Sequence, residues 1–76
     1  MLLQTNGTRI RELRQLAGLT LAEFAEAVGY TYNYVSQIEL GHVNGGIRFL
    51  RAAATVLHCT IEDITAGRRT PARSAA

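Results

Sequence analysis

Apolar residues recur at helical spacing through the middle of the chain, and the polar residues between them mark where each helix starts and stops. Leu21, Phe24, Ala25 and Val28 fall at i, i+3, i+4 and i+7, a single stripe on one side of a helix. Thr20 can accept from the first free amides of that helix, and Glu23 can reach back to the Thr20 amide, which completes a capping box. Gly29 then supplies a residue suited to the left-handed stop. Thr31 can cap the next helix, in which Val35 and Ile38 point one way while Tyr32, Asn33, Ser36 and Gln37 fall on the opposite face. Gly41 closes it as Gly29 closes its predecessor. The pattern predicts two short helices joined by a tight turn, the second with a polar outer face.

The flanking sequence extends the pattern to five helices. Met1 to about Asn6 reads as an arm, and Asn6 or Thr8 caps a first helix with Ile10, Leu13 and Ala17 on one side and Arg14 beside them. After the turn-rich stretch from His42 to Gly46, Ile47, Leu50, Ala53, Ala54 and Leu57 form the stripe of a fourth helix. Thr60 to Asp63 repeats the capping-box pattern and opens a short fifth helix through roughly Ile64. From Gly67 to Ala76 the apolar period disappears, which predicts a disordered Arg-rich tail behind a domain of residues 1–66. The expected fold is all-α, a compact five-helix domain.

At this point the chain resembles the lambda-repressor-like, Cro-type helix-turn-helix family, from about Ile10 to Ile64. The resemblance rests on Arg11-Glu12-Leu13-Arg14 with Ala17-Gly18-Leu19-Thr20, on Tyr34-Val35-Ser36-Gln37-Ile38-Glu39 with Gly41, and on Leu57 with Thr60-Ile61-Glu62-Asp63-Ile64. It implies a DNA reader whose third helix enters the major groove, with Thr31, Tyr32, Asn33, Ser36 and Gln37 facing the bases. Asn and Gln amides can pair bidentately with adenine, and Ser and Thr hydroxyls can bond to bases or phosphate. The resemblance also implies a salt bridge between Arg14 and Glu39 that orients the third helix. The chain departs from the family at Leu21 and Val43, where many members carry Gln and a basic residue, so two familiar backbone contacts are lost. It departs again at Phe49, usually polar, which marks a contact surface, and at Cys59, usually aliphatic, which is expected in the core.

Charge changes this picture only modestly. The chain has 76 residues, eight basic and six acidic, for a net charge of +2. All the basic residues are Arg, and each carries a planar fork suited to phosphate. The expected DNA-backbone contacts are Arg9, Arg11, Arg48 and Arg51 together with the helix starts at Thr20, Leu21 and Gly46, where free amides favour anions. Each of those arginines reads equally well as a surface charge paired with Glu12 or with solvent. His42, His58 and Cys59 are too few and too irregularly spaced for an intramolecular zinc site, and are read as structural or solvent-facing. No catalytic constellation, phosphate loop, membrane span or signal peptide is present in the sequence, so neither catalysis, a cofactor nor a small-molecule ligand is expected. At this length no separate sensing domain is expected, and the lone cysteine fits a cytoplasmic setting.

Double-stranded DNA is therefore the expected partner, bound by a homodimeric repressor, since one recognition helix covers only a few base pairs. Ile61, Ile64 and Thr65 of the fifth helix are the expected dimer interface, joined by Phe49 or by Leu2 and Leu3. The rival reading is a protein-binding module of the same fold. It draws on the absence of basic residues from the third helix and on Tyr30, Tyr32 and Tyr34, which suit protein interfaces.

Overall fold

The computed structural model describes residues 4–66. The order of elements is β1 (Gln4–Thr5), α1 (Gly7–Leu16), α2 (Leu21–Val28), α3 (Tyr32–Leu40), α4 (Ile47–Leu57), a 3-10 turn (Glu62–Ile64) and β2 (Thr65–Ala66). Asn6 caps α1 by accepting from the Arg9 amide at 3.1 Å. The capping box at α2 has both halves: the Glu23 amide donates to Thr20 Oγ1 at 3.1 Å, and the Thr20 amide to Glu23 Oε1 at 2.8 Å. Thr31 accepts from the Tyr34 amide at 3.1 Å and starts α3.

The four described α-helices all stop in the same way. A left-handed residue, Gly18, Gly29, Gly41 or His58, is followed by one whose amide returns to a carbonyl five residues back. The four closing bonds run from Leu19 to Arg14, Tyr30 to Ala25, His42 to Gln37 and Cys59 to Ala54, at 2.9 to 3.1 Å. This is the Schellman pattern, which satisfies carbonyls that the helix leaves open. His58 adopts it without being glycine, at φ 57°.

The core gathers Ile10 from α1, Phe24, Ala25 and Val28 from α2, Val35 and Ile38 from α3, Phe49, Leu50, Ala53, Ala54 and Leu57 from α4, and Ile64. Gly7 lets the start of α1 approach the end of α3: a Cβ there would overlap the Ile38 carbonyl oxygen and lie 2.7 Å from that of Glu39. No described helix is long and apolar enough to cross a membrane.

Several expectations need correction. The described chain has four α-helices, because the Thr60 capping box, complete in both its bonds, opens only a single 3-10 turn. The chain leaves that turn because Thr65 and Ala66 pair antiparallel with Thr5 and Gln4, and the Asn6 amide donates to the Ile64 carbonyl at 2.9 Å. The supposed arm is thus a strand from Gln4 onward. Thr5 also holds the loop before α4: its hydroxyl donates to the Gly45 carbonyl at 3.1 Å and accepts from the Gly45 amide at 3.0 Å.

The proposed dimer surface is largely interior. Phe49, Ile64 and Thr65 are buried, and Ile61 is half-buried against the core. On α4 the buried stripe is shifted by two residues at its start, with Phe49 inside and Ile47 47% exposed. Tyr30 and Tyr34 explain the shift, since both present their rings to Phe49 in edge-on geometry, at centroid distances of 5.5 and 6.2 Å. On α1, Leu13 is only half-buried and Ala17 exposed. Leu2, Leu3 and the Arg-rich tail from Gly67 lie outside the described residues.

Candidate nucleic-acid interface

The site is built on α3 and on what holds it. Val35 and Ile38 anchor the inner side of the helix in the core, so its opposite side is fixed in orientation. On that side Tyr32, at 57% exposure, and Asn33 project into solvent, while Ser36 and Gln37 are half-buried beside them. Thr31 is exposed at the helix start, its oxygen engaged in the cap. The five expected base-reading residues therefore share one helix and its leading turn.

A nearly buried ion pair fixes α3 to α1. Arg14 Nε donates to Glu39 Oε2 at 2.7 Å and Nη2 to Glu39 Oε1 at 3.1 Å, a bidentate fork. Arg14 Nη1 donates to the Leu19 carbonyl at 2.9 Å, so the same side chain also secures the entry to α2. The pair works on orientation, its charged groups engaged with each other and with the Leu19 carbonyl.

The expected backbone contacts divide into two groups. Arg11 and Leu21 line a shallow cleft of about 230 Å³ that reaches Ser36 and Leu40, with Arg14 and Glu39 also on its wall. The cleft brings α1, the start of α2 and the outer side of α3 to one place. Arg48 and Arg51 are exposed on α4. Arg9 is paired with Glu12 at 3.1 Å, both side chains being well exposed.

The two helix starts differ electrostatically. At α2 the Thr20 amide and the Glu23 carboxylate satisfy each other, which places a negative charge where phosphate was expected. At α4 the cap is Gly46, with no side-chain bond and no acidic residue in the first turn. The α4 start is the better anion site of the two.

One residue of the outer face carries a partner that sequence reasoning missed. His42, read from the sequence as structural or solvent-facing, has its Nδ1 2.9 Å from Gln37 Oε1. The available signal was Gly41 itself: a Schellman stop puts the residue after the glycine beside the one five positions earlier. Cys59 is half-buried, and burial, reinforced by Asp63, pushes its thiol pKa up.

A family model described as helix-turn-helix matches residues 10–64. The HTH-type transcriptional regulator DdrOP3 of Deinococcus deserti is 36% identical over 59 residues, covering 78% of this chain and 46% of that protein. The chain thus spans about half the length of that relative. An HTH-type transcriptional regulator of Archaeoglobus fulgidus is 37% identical over 57 residues, covering 75% of this chain and 81% of the relative. Among solved structures, SinR of Bacillus subtilis, the master regulator for biofilm formation, in complex with DNA, superposes with a TM-score of 0.70 at 35% identity, covering 74% of this chain and 90% of the other. With that match over most of its length and with two capped helices joined at Gly29, the chain belongs to the lambda-repressor-like helix-turn-helix family.

Proposed function

We propose that the chain is a sequence-specific DNA-binding regulator of transcription that lays α3 in the major groove of double-stranded DNA and represses by occupying an operator. The observation that carries this is the outer side of α3, where Tyr32, Asn33, Ser36 and Gln37 stand on a helix locked by a buried core, a cap at each end and the Arg14–Glu39 fork. A rigid helix with amide side chains outward can match the donor and acceptor pattern of base edges. Arg11, the Leu21 amide, the Gly46 helix start, Arg48 and Arg51 supply phosphate contacts; Arg9 and Thr20 contribute less, because Glu12 and Glu23 already engage them. DNA-bound SinR supports the reading by its similarity.

A nine-residue helix reads only a few base pairs, so we further propose that two copies act on a two-fold symmetric site, in the cytoplasm where such DNA lies. Their contact uses surfaces other than the buried Phe49, Ile64 and Thr65. The protein-binding alternative loses much of its support, because Tyr30 and Tyr34 stack on each other at 5.2 Å and close over Phe49 inside the domain.

Selection from random duplexes tests the proposal, followed by titration of the selected site. Asn33→Ala and Gln37→Ala should each weaken binding to that site by about 1 to 3 kcal/mol and leave binding to random DNA nearly unchanged. Equal losses on both DNAs, or no selected motif, would reject base reading by α3.

A further inference from the structure

The stop of α3 differs from the other three in the chemistry of the residue that follows the left-handed position. At α1, α2 and α4 that residue is Leu19, Tyr30 or Cys59, each packed against the core. At α3 it is His42, which is exposed and polar. The backbone brings it beside Gln37 by bonds to the Gln37 carbonyl from the amides of His42, at 2.9 Å, and Val43, at 3.4 Å. The side chains then meet, His42 Nδ1 lying 2.9 Å from Gln37 Oε1; an amide oxygen only accepts, so the bond calls for the proton on Nδ1. Gln37 is thus held to the loop through both its main-chain and its side-chain oxygen, and among the described residues no bond takes up its Nε2 hydrogens.

This matters because a glutamine reads adenine with both ends of its amide, accepting from N6–H and donating to N7. An oxygen already engaged and turned toward the loop serves that pairing poorly. The NH2 end remains a donor, which suits edges that offer acceptors alone, guanine N7 and O6 or thymine O4; adenine N7 also accepts, but beside it stands the N6–H2 donor, which a second donor cannot satisfy. We propose that His42 is a specificity-determining residue that works through Gln37, holding its amide as an outward donor so that the base facing Gln37 is read as guanine or thymine in preference to adenine or cytosine. The inference rests on α3 being the base-reading helix. His42 is a positioning residue, since its contact is with Gln37.

The test uses the whole chain and the motif it selects. The position facing Gln37 is the one at which Gln37→Ala loses discrimination, and the four bases are compared there at fixed salt. The parent should prefer guanine or thymine. His42→Ala should move the ratio toward adenine by roughly tenfold, the scale of one good base-edge bond, with the melting temperature unchanged. His42→Asn should keep the parental ratio, because an asparagine Nδ2 stands where the histidine Nδ1 does. Nitrogen NMR of the free protein should find the neutral His42 ring protonated at Nδ1. Base ratios in His42→Ala within twofold of the parent, an adenine preference in the parent, or a ring protonated at Nε2 would each overturn the role of His42 while leaving DNA reading intact. A chain that selects no motif would overturn both.

Discussion

Replacing Arg14 by Met separates a buried charge from its partner while keeping most of the side-chain volume, and the structure sets the expected cost. The side chains of Arg14 and Glu39 are 10% and 6% exposed, so water cannot take over when the fork is removed. Three donated bonds disappear: two to the Glu39 carboxylate and one to the Leu19 carbonyl. Leaving one member of a buried pair uncompensated costs about 3 to 5 kcal/mol. In a domain of this size each kcal/mol corresponds to roughly 4 to 8 °C, so a melting point lower by about 12 °C or more is expected. Arg9–Glu12 serves as an internal control, because the same chemistry at 44% and 56% exposure should yield less than about 1 kcal/mol when Arg9→Met removes it. Urea unfolding followed by far-UV circular dichroism measures both variants. A cycle with Glu39→Gln then isolates the coupling, since Arg14→Met should cost less when Glu39 is already neutral. A loss below about 1 kcal/mol for Arg14→Met, or strict additivity in the cycle, would refute the claim that this fork fixes α3 on α1.

Three further outcomes can be checked with the same methods. Gly7→Ala should destabilise by about 2 kcal/mol in urea titrations, although alanine is the better helix former, because its Cβ meets the Ile38 and Glu39 carbonyls where backbone cannot yield cheaply. His58→Gly should instead stabilise by about 0.5 to 1 kcal/mol, since it relieves a left-handed non-glycine residue whose ring is exposed. Cys59 should react with iodoacetamide at neutral pH more slowly than a free thiol, because burial and then Asp63 favour its protonated form. The folded state binds that proton more tightly than the unfolded chain does, so Cys59 contributes stability that is present below the ordinary thiol range and lost as pH rises from that range through the raised folded value. Cys59→Ala should flatten that alkaline decline in chemical unfolding measured from pH 7 to pH 10.

The helix-turn-helix itself was legible because its signals act over a few residues. Thr20 with Glu23, Thr31, Gly29 and Gly41 bond within the first or last turn of their own helices, so their identities alone place the boundaries of α2 and α3 and put Asn33 and Gln37 on the outer face. The Arg14–Glu39 fork, 25 residues apart, came from family resemblance, and the structure supplies its geometry and burial. Beyond that reach, local rules misjudged the chain. Thr60 and Asp63 form a complete capping box, yet no helix grows from it, because Gln4 and Thr5 arrive from the other end to pair with Ala66 and Thr65. Periodicity cannot see such a partner, and so it took Ile64 for an exposed contact residue when it is core. Phe49 was misread for the same reason, since only the folded arrangement of Tyr30 and Tyr34 around it makes its place interior. Sequence by itself determined which residues α3 turns outward; tertiary structure decided which apolar side chains are interior, Phe49 beneath Tyr30 and Tyr34 and Ile64 beside the β1–β2 pair, because their partners lie far away along the chain.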